Sequence, residues 1–274
     1  MKSHKNILIY YSSMRSFLIY REILEKYPKL FEIIIEMPAL PHSRTSNKRN
    51  YMKFIKSSIT SPGYFFIQLF TIYFYKFFGE ITKNTIKHKC NEFGIKHYFF
   101  NRVDKDFIEL IKSKNPNYLI SSASSLLPED LLSLPKLGTI NLHEAPLPKY
   151  RGSAAYFWFL FNEESTAWVT CHYVVKELDA GDIIFEGKKI QISKKLSIFN
   201  IWKKMLISYD FIWEKLIPYL IKPDKLPSKV QNKKEVQIYS YPSRELSLFL
   251  RKNRINIFTY SDFVFIIKTL FFKT

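Results

Sequence analysis

The sequence GTINLHEAPLPKYRGSAAYFWFLFNEESTAWVTCHYVVKELDAGD, residues 138–182, contains the densest set of chemically versatile side chains in this chain. It begins with the apolar alternation of a short strand. That strand places Asn141 and His143 on the same side, because side chains on a strand repeat every second residue. The turn-rich run that follows contains Pro146 and Pro148, which oppose both helix and ladder hydrogen bonds. We therefore predict a loop over the carboxyl end of a strand, where ligand sites lie in open α/β sheets.

The end of the same stretch supplies a carboxylate. Asp179 precedes Gly181 and follows the β-patterned residues 167–175. An amide, an imidazole and a carboxylate are the residue types of an acid/base and oxyanion site. Each residue also has an ordinary structural interpretation: a strand end for Asn141, a turn cap for His143 and an Asx-turn for Asp179. Their joint occurrence favours the catalytic interpretation.

Four short motifs resemble the core of the folate-dependent formyltransferases, which include methionyl-tRNA formyltransferase, glycinamide ribonucleotide formyltransferase and the sugar N-formyltransferases. The motifs are N-x-H at 141–143, L-P-x-Y-R-G at 147–152, V-T-x-H at 169–172 and L-D-x-G-D-I at 178–183. The resemblance is specific over residues 116–191 and is a pattern only over residues 1–115. One departure is the run of residues 144–148, EAPLP, where the family usually has Ser-Leu-Leu-Pro. The extra proline should stiffen this loop, and the usual serine hydroxyl is missing.

The resemblance implies transfer of a formyl group from N10-formyltetrahydrofolate to a primary amine, with no metal. It implies that the catalytic residues are Asn141, His143 and Asp179, with His172 in a supporting role or as an ordinary core histidine. Residues assigned to cofactor binding are Leu126, Leu127, Glu177 and Leu178. Residues assigned to substrate binding are Tyr150, Arg151 and Gly152, together with the first loop.

That first loop contains Ser12, Ser13 and Arg15 between an apolar strand and an amphipathic helix. Hydroxyls and amides at a helix N-terminus can hold a substrate phosphate. Helix capping explains the two serines equally well. A G-x-G-x-x-G fingerprint for dinucleotides is not found in this loop.

Strands alternate with helices along the chain, which predicts an α/β fold: a Rossmann-like, mostly parallel sheet flanked by helices, with a short C-terminal extension. We predict a catalytic domain over residues 1–222, an aromatic helical insertion over about 41–79 and an extension over 223–274. The predicted strands are 6–11, 31–36, 96–100, 117–123, 168–175 and 183–192. The predicted helices include 80–93, 104–112, 153–161 and 197–220.

Residues 62–79, PGYFFIQLFTIYFYKFFG, are the most apolar and aromatic part of the chain. The segment is short for a membrane span. We favour a buried or surface-docked helix over contact with a membrane surface, which nearby Lys48, Arg49, Lys53 and Lys56 would assist. Packing in a homodimer is a further alternative, because a large aromatic patch needs covering.

The composition of the chain is consistent with this reading. The 274 residues carry a formal net charge of +18 and are 47% hydrophobic. Such a charge suits anionic partners, although the lysines are dispersed as on an ordinary solvated surface. Two distant cysteines and the lack of a signal-peptide pattern predict a cytoplasmic protein. The six histidines show no zinc-type spacing.

The acceptor is predicted by elimination within the family. About fifty residues follow Lys222, too few for the C-terminal barrel with which methionyl-tRNA formyltransferase binds tRNA. We expect an amino-deoxysugar carried on a nucleotide, destined for a bacterial surface polysaccharide such as O-antigen, lipopolysaccharide or capsule, and no nucleic-acid partner. Two alternatives stay open: a methionyl-tRNA formyltransferase-like enzyme without the full barrel, and a non-catalytic, membrane-associated binding protein on the same fold.

Overall fold

A computed structural model describes residues 4–39, 52, 55–56, 58–122 and 127–272. The described chain is built on a seven-stranded sheet of order β3-β2-β1-β4-β5-β8-β9. In chain order the strands are β1 (Asn6–Tyr11), β2 (Ile33–Met37), β3 (Lys96–Phe99), β4 (Tyr118–Ser121), β5 (Gly138–His143), β6 (Arg151–Gly152), β7 (Thr166–Ala167), β8 (Thr170–Tyr173), β9 (Ile183–Glu186), β10 (Ile190–Gln191) and β11 (Ile238–Tyr239). Strands β1 to β5 are parallel, and β8 and β9 add to the edge in antiparallel pairing.

Helices cover both faces of this sheet. They are α1 (Met14–Lys26), α2 (Pro62–Thr82), α3 (Ile86–Phe93), α4 (Lys105–Lys114), α5 (Glu129–Leu132), α6 (Ala155–Phe161), α7 (Ile198–Lys204), α8 (Leu206–Ile221), α9 (Arg244–Lys252) and α10 (Tyr260–Phe271). One hydrophobic cluster lies on each side of the sheet, and successive residues of β1 alternate between them: Leu8 belongs to the larger cluster, Ile7 and Ile9 to the smaller. The predicted α/β class with a mostly parallel sheet is confirmed.

Local sequence signals account for the helix ends near the site. The side chain of Ser13 accepts a hydrogen bond from the backbone N–H of Ser16 and caps α1, and Asp104 caps α4 in the same way through Phe107. Such caps satisfy backbone donors that the first helical turn leaves free. Helix α3 ends at Gly94, whose φ of +68° is the left-handed conformation that glycine adopts without strain.

Two predicted elements are divided in the structure. The predicted strand 183–192 becomes β9 and β10, because the backbone at Gly187 passes so close to Ser208 that a Cβ would lie 2.1 Å from its Oγ. The predicted helix 197–220 becomes α7 and α8, which meet at Met205. The aromatic helix is longer than predicted and ends at Thr82, so the polar helix after it shortens to α3.

Residues after Lys222 pack into the same core as the sheet. Leu226, Leu246, Leu250, Ile266 and Leu270 all belong to the larger hydrophobic cluster, and β11 pairs with β6 in the middle of the chain. The division at residue 222 stays a prediction. Among the described residues, no helix has the length and apolar character needed to cross a lipid bilayer.

Candidate active site

A pocket with a cavity volume of ≈ 270 Å³ opens at the carboxyl ends of the parallel strands. Tyr11, Ser121 and His143, the last residues of β1, β4 and β5, all line it. This is the edge of an open α/β sheet at which ligands bind. The loop after β8 closes one side of the pocket and brings Asp179 to the same cavity.

Asn141 and His172 face each other across the antiparallel pair β5 and β8. The Asn141 amide Nδ2 lies 3.1 Å from Nε2 of His172, and His172 Nδ1 lies 2.7 Å from the carbonyl oxygen of Tyr173. Because a carbonyl only accepts, Nδ1 carries the proton, and Nε2 is the bare nitrogen that accepts from Asn141. One N–H of the Asn141 amide is therefore used, and the other is available to the pocket.

Burial keeps His172 neutral. The ring is 1% exposed. Desolvation is the main reason that the pKa of His172 is lowered to about 4, and the nearby His143 lowers it further, whereas the Asp179 carboxylate acts in the opposite direction. At neutral pH this side chain is thus an acceptor for Asn141 and carries no charge.

His143 has the opposite arrangement of its two nitrogens. Its Nε2 lies 2.6 Å from the carbonyl oxygen of Tyr150, so the Nε2–H donates there. In the neutral ring Nδ1 is therefore the bare nitrogen, and it faces Oδ2 of Asp179 at 3.7 Å. The two imidazole rings lie 6.1 Å apart between centroids and nearly perpendicular to each other.

Asp179 is held in a constrained turn. Its backbone has a φ of +48°, a conformation that non-glycine residues adopt only when neighbours enforce it. Its Oδ2 accepts a hydrogen bond of 2.8 Å from the N–H of Gly152. A Cβ on Gly152 would lie 2.1 Å from the Tyr239 carbonyl oxygen, and one on Gly181 would lie 1.9 Å from that of Tyr173. Both glycines are therefore needed to bring the turn to this position.

Gln231 holds the backbone of that turn through hydrogen bonds. Its Nε2 donates to the carbonyl oxygens of Asp179 and Gly181, at 2.8 and 2.7 Å. Its Oε1 accepts from Nε and Nη2 of Arg151, at 3.1 and 2.7 Å. The side chain is 5% exposed and makes these four contacts inside the protein. We call Gln231 with Arg151 the clamp of the Asp179 turn.

Part of this chain is similar to a known protein family. Residues 80–206 match the family model described as "Formyl transferase". This part of the chain is therefore similar to the formyl transferases. The matched residues include Asn141, His143, His172 and Asp179, whereas Gln231 lies outside them.

Curated relatives match part of this chain. Methionyl-tRNA formyltransferase of Clostridioides difficile (strain 630) is 37% identical over 134 residues, which is 48% of this chain and 42% of the relative. The bifunctional polymyxin resistance protein ArnA of Wigglesworthia glossinidia brevipalpis is 34% identical over 147 residues, 53% of this chain and 22% of the relative. The chain thus spans less than half the length of either relative.

Solved structures share the fold over nearly the whole chain. An N-formyltransferase from Helicobacter canadensis, in complex with folinic acid and dTDP-3-aminofucose, aligns with 98% of this chain and 81% of its own, with a TM-score of 0.57. Its sequence identity is 16%. At that identity the likeness establishes the fold, and it extends beyond the matched domain to the segments on both sides.

A second wall of the pocket contains an ion pair between Arg15 and Glu144. Arg15 contacts the Glu144 carboxylate, donates to the Tyr156 hydroxyl at 2.9 Å, and has its guanidinium 4.9 Å from the Tyr156 and Trp202 rings. Glu144 also accepts from Trp202 Nε1 at 2.9 Å and from the Tyr209 hydroxyl at 3.2 Å. Among the described residues that line the pocket, Arg15 is the only lysine or arginine. Burial disfavours the charged guanidinium, but the attraction of Glu144 is sufficient to raise the pKa of Arg15 above its usual value.

Most of the predicted site residues line the pocket, and a few lie elsewhere. Those that line the pocket are Asn141, His143, Asp179, His172, Leu127, Glu177, Leu178, Ser13, Arg15 and Gly152. Leu126 lies outside the described residues. Ser12 is buried and hydrogen-bonds Glu36 instead.

Tyr150 and Arg151 do not bring their side chains into the pocket. The Tyr150 hydroxyl donates to Glu164 at 2.8 Å, and Arg151 is engaged by Gln231. Both residues support the site without entering the pocket. The Tyr150 carbonyl accepts from His143, and Arg151 donates to Gln231 of the clamp. The sequence indicates no role for Gln231, Trp202 or Tyr209, and Glu144 stands out in it only as a departure from the family motif.

Across the described ranges, no three His, Cys, Asp or Glu side chains are grouped in a way that could hold a metal ion. His143, His172 and Asp179 come near one another, but the remaining nitrogen of His172, Nε2, already accepts from the Asn141 amide.

Proposed function

We propose that this protein is an N-formyltransferase that moves a formyl group from N10-formyltetrahydrofolate to the primary amine of a nucleotide-linked amino-deoxysugar. The observation that carries the proposal is the convergence of a free Asn141 N–H, the bare Nδ1 of His143 and the Asp179 carboxylate on one pocket. These groups supply the two things that amine formylation needs, a donor for the formyl oxygen and a group that handles the amine proton.

The pocket suits the folate co-substrate. Leu127, Val174, Val175 and Leu178 provide an apolar wall beside the polar catalytic groups, as a flat heterocycle requires. N10-formyltetrahydrofolate supplies the activated formyl group. Of the two residues assigned to this co-substrate in the loop after β8, Leu178 belongs to that wall and Glu177 adds a carboxylate at its rim.

Asn141 stabilises the charge that develops on the formyl oxygen. Its amide is oriented because one N–H is bound to His172 Nε2, so the second N–H needs no reorganisation to reach the oxygen. His172 is thus a positioning residue. A neutral His172 is essential to this role, because a protonated Nε2 would compete with the amide as a donor.

His143 handles the proton at Nδ1. The Tyr150 carbonyl commits Nε2–H, which leaves Nδ1 to accept the proton that the attacking amine loses when the new C–N bond forms. The Asp179 carboxylate, 3.7 Å away, stabilises the resulting imidazolium. The same proton can then be donated to the departing folate nitrogen as its bond to the formyl carbon breaks.

The charge of the pocket indicates which part of the acceptor contacts the Arg15–Glu144 wall. Arg15 is already neutralised by Glu144, so the described walls offer no free cation for a diphosphate. In our proposal the amino-sugar ring, and not the diphosphate, contacts the Arg15–Glu144 wall. The Helicobacter canadensis structure with dTDP-3-aminofucose supports this acceptor class. A cytoplasmic location and a role in surface polysaccharide synthesis are parts of the same proposal.

A second candidate acceptor is methionyl-tRNA. The sequence match to methionyl-tRNA formyltransferase of Clostridioides difficile favours it, and the net charge of +18 would support binding to a polyanion. Such binding would weaken steeply with added salt.

The experiment offers N10-formyltetrahydrofolate with a panel of amino-deoxysugar nucleotides and with methionyl-tRNA, and follows the added formyl group by mass. We expect a formylated sugar nucleotide that is lost in His143→Ala and Asn141→Ala and retained in Asn91→Ala, an exposed asparagine on α3. Formylated tRNA alone would favour the second candidate. No product with any acceptor, despite folate binding, would leave the non-catalytic alternative.

A further inference from the structure

Helix α2 exposes an apolar stripe to solvent. Phe66, Tyr73, Phe77 and Ile81 are 66%, 62%, 63% and 61% exposed. Their spacings of seven, four and four residues place them on one face of the helix. The stripe spans about 22 Å at the rise of an α-helix. We call these four residues the α2 stripe, and a continuous exposed stripe of this size marks an interaction surface.

The opposite face of α2 packs against the rest of the protein. Tyr64, Gln68 and Ile72 line the candidate active-site pocket, and Tyr75 is buried in the core. The stripe therefore cannot turn inward without removing a wall of the pocket. Whatever covers it must approach from outside.

The apolar surface continues at the end of the described chain. Helix α10 packs beside α2, with the rings of Phe78 and Phe271 5.4 Å apart. Phe271 and Phe272 are 44% and 61% exposed, next to the last turn of α2. The Asn84 side chain donates to the Leu270 carbonyl oxygen at 2.6 Å, which holds the two helix ends together.

The charged residues around the α2 stripe indicate which kind of partner covers it, a second copy of the chain or an anionic membrane. Lys76, Lys83 and Lys268 are exposed on or at the ends of α2 and α10, against one exposed acidic residue, Glu80. A second copy of the chain would bring the same excess of positive charge to this surface, which is unfavourable. An anionic headgroup layer complements these lysines, and aromatic side chains beside lysines are typical of helices that lie in the membrane interface.

We propose that α2 docks on the surface of an anionic lipid membrane, with the α2 stripe in the headgroup and upper acyl region and the lysines among the phosphates. The docking is peripheral: among the described residues no helix can span a bilayer, and the committed inner face limits insertion to the stripe. This surface is independent of the chemistry proposed for the pocket.

The test uses the full chain and vesicles of phosphatidylcholine, either alone or mixed with phosphatidylglycerol, followed by co-sedimentation. We expect binding to the mixed vesicles only, weakened by salt. The triple variant Phe66→Ser, Tyr73→Ser, Phe77→Ser should bind at least about tenfold more weakly. The pair Lys76→Glu, Lys83→Glu should lower binding at least about fivefold. Should the triple variant fail to fold, Phe66→Ser and Phe77→Ser alone test the same face.

Matched controls lie elsewhere on the surface. Phe99→Ser and Ile207→Ser remove apolar residues of similar exposure, 53% and 52%, and Lys112→Glu reverses an exposed lysine on α4. These variants should bind as the native chain does. The proposal is overturned by a native chain that stays in the supernatant, by stripe variants that bind undiminished, or by a native dimer that the stripe variants convert to a monomer without any vesicle binding.

Discussion

His143 on β5 and His172 on β8 lie in one site, yet their backbone contacts give them opposite properties. His143 donates its Nε2–H to the Tyr150 carbonyl and presents Nδ1 to Asp179. His172 donates its Nδ1–H to the Tyr173 carbonyl and presents Nε2 to Asn141. Both bare nitrogens lie near the Asp179 carboxylate, His143 Nδ1 at 3.7 Å from Oδ2 and His172 Nε2 at 3.8 Å from Oδ1, but only His172 Nε2 also accepts a hydrogen bond from an amide. A histidine's role therefore follows from the carbonyl that fixes its tautomer.

The largest expected difference is in catalysis. His143→Ala should lower kcat for formyl transfer about 10³-fold, because it removes the group that handles the proton. His172→Ala should cost about tenfold, because the Asn141 amide stays in place but loses its orientation. Steady-state rates at saturating folate and acceptor measure both. Equal losses in the two variants would contradict the difference in roles.

The next effect concerns stability and pH. Burial, with a smaller contribution from His143, lowers the pKa of folded His172 from 6.5 to about 4. The unfolded chain therefore binds more protons between those values, and the folded state loses stability as the pH falls. We expect the free energy of unfolding to drop by about 2 kcal/mol between pH 7 and 5 from this residue.

Urea unfolding at both pH values, compared with His172→Gln, checks this expectation. The glutamine variant does not titrate and should lose that part of the pH dependence, while its stability at pH 7 is lower than that of the native chain. An unchanged pH dependence in the variant would show that His172 does not carry the effect.

The smallest effect concerns the clamp. Gln231→Glu removes both N–H donors to the Asp179 turn but retains an oxygen for Arg151, so we expect kcat to fall about tenfold with little change in KM. Gln191→Glu, at an exposed position on β10, is the matched control. A change in KM alone would indicate that Gln231 acts on substrate binding and not on the position of Asp179.

Much of this arrangement was predictable from local sequence. Apolar runs and caps such as Asp104 predicted the parallel sheet and the order of its helices, because these signals act over a few residues. The alternation in β5 placed Asn141 and His143 together for the same reason. The aromatic run after Pro62 was correctly predicted to be a helix.

The remaining features depend on contacts between distant segments. Gln231 meets Arg151 across 80 residues, and Arg15 meets Glu144 across 129. Neither pairing leaves a local pattern, so the contact between Arg15 and Glu144 was not predicted and Gln231 was given no role. The division of the strand at Gly187 likewise depends on Ser208, which arrives from α8.

The most direct test of this account is the tautomeric state of the two histidines at neutral pH, read from long-range proton–nitrogen NMR correlations of the ¹⁵N-labelled protein. Spectra of His143→Ala and His172→Ala assign the signals. We predict a proton on Nε2 of His143 and on Nδ1 of His172, with the other nitrogen bare in each ring. The same tautomer in both rings, or a doubly protonated His172, would contradict it.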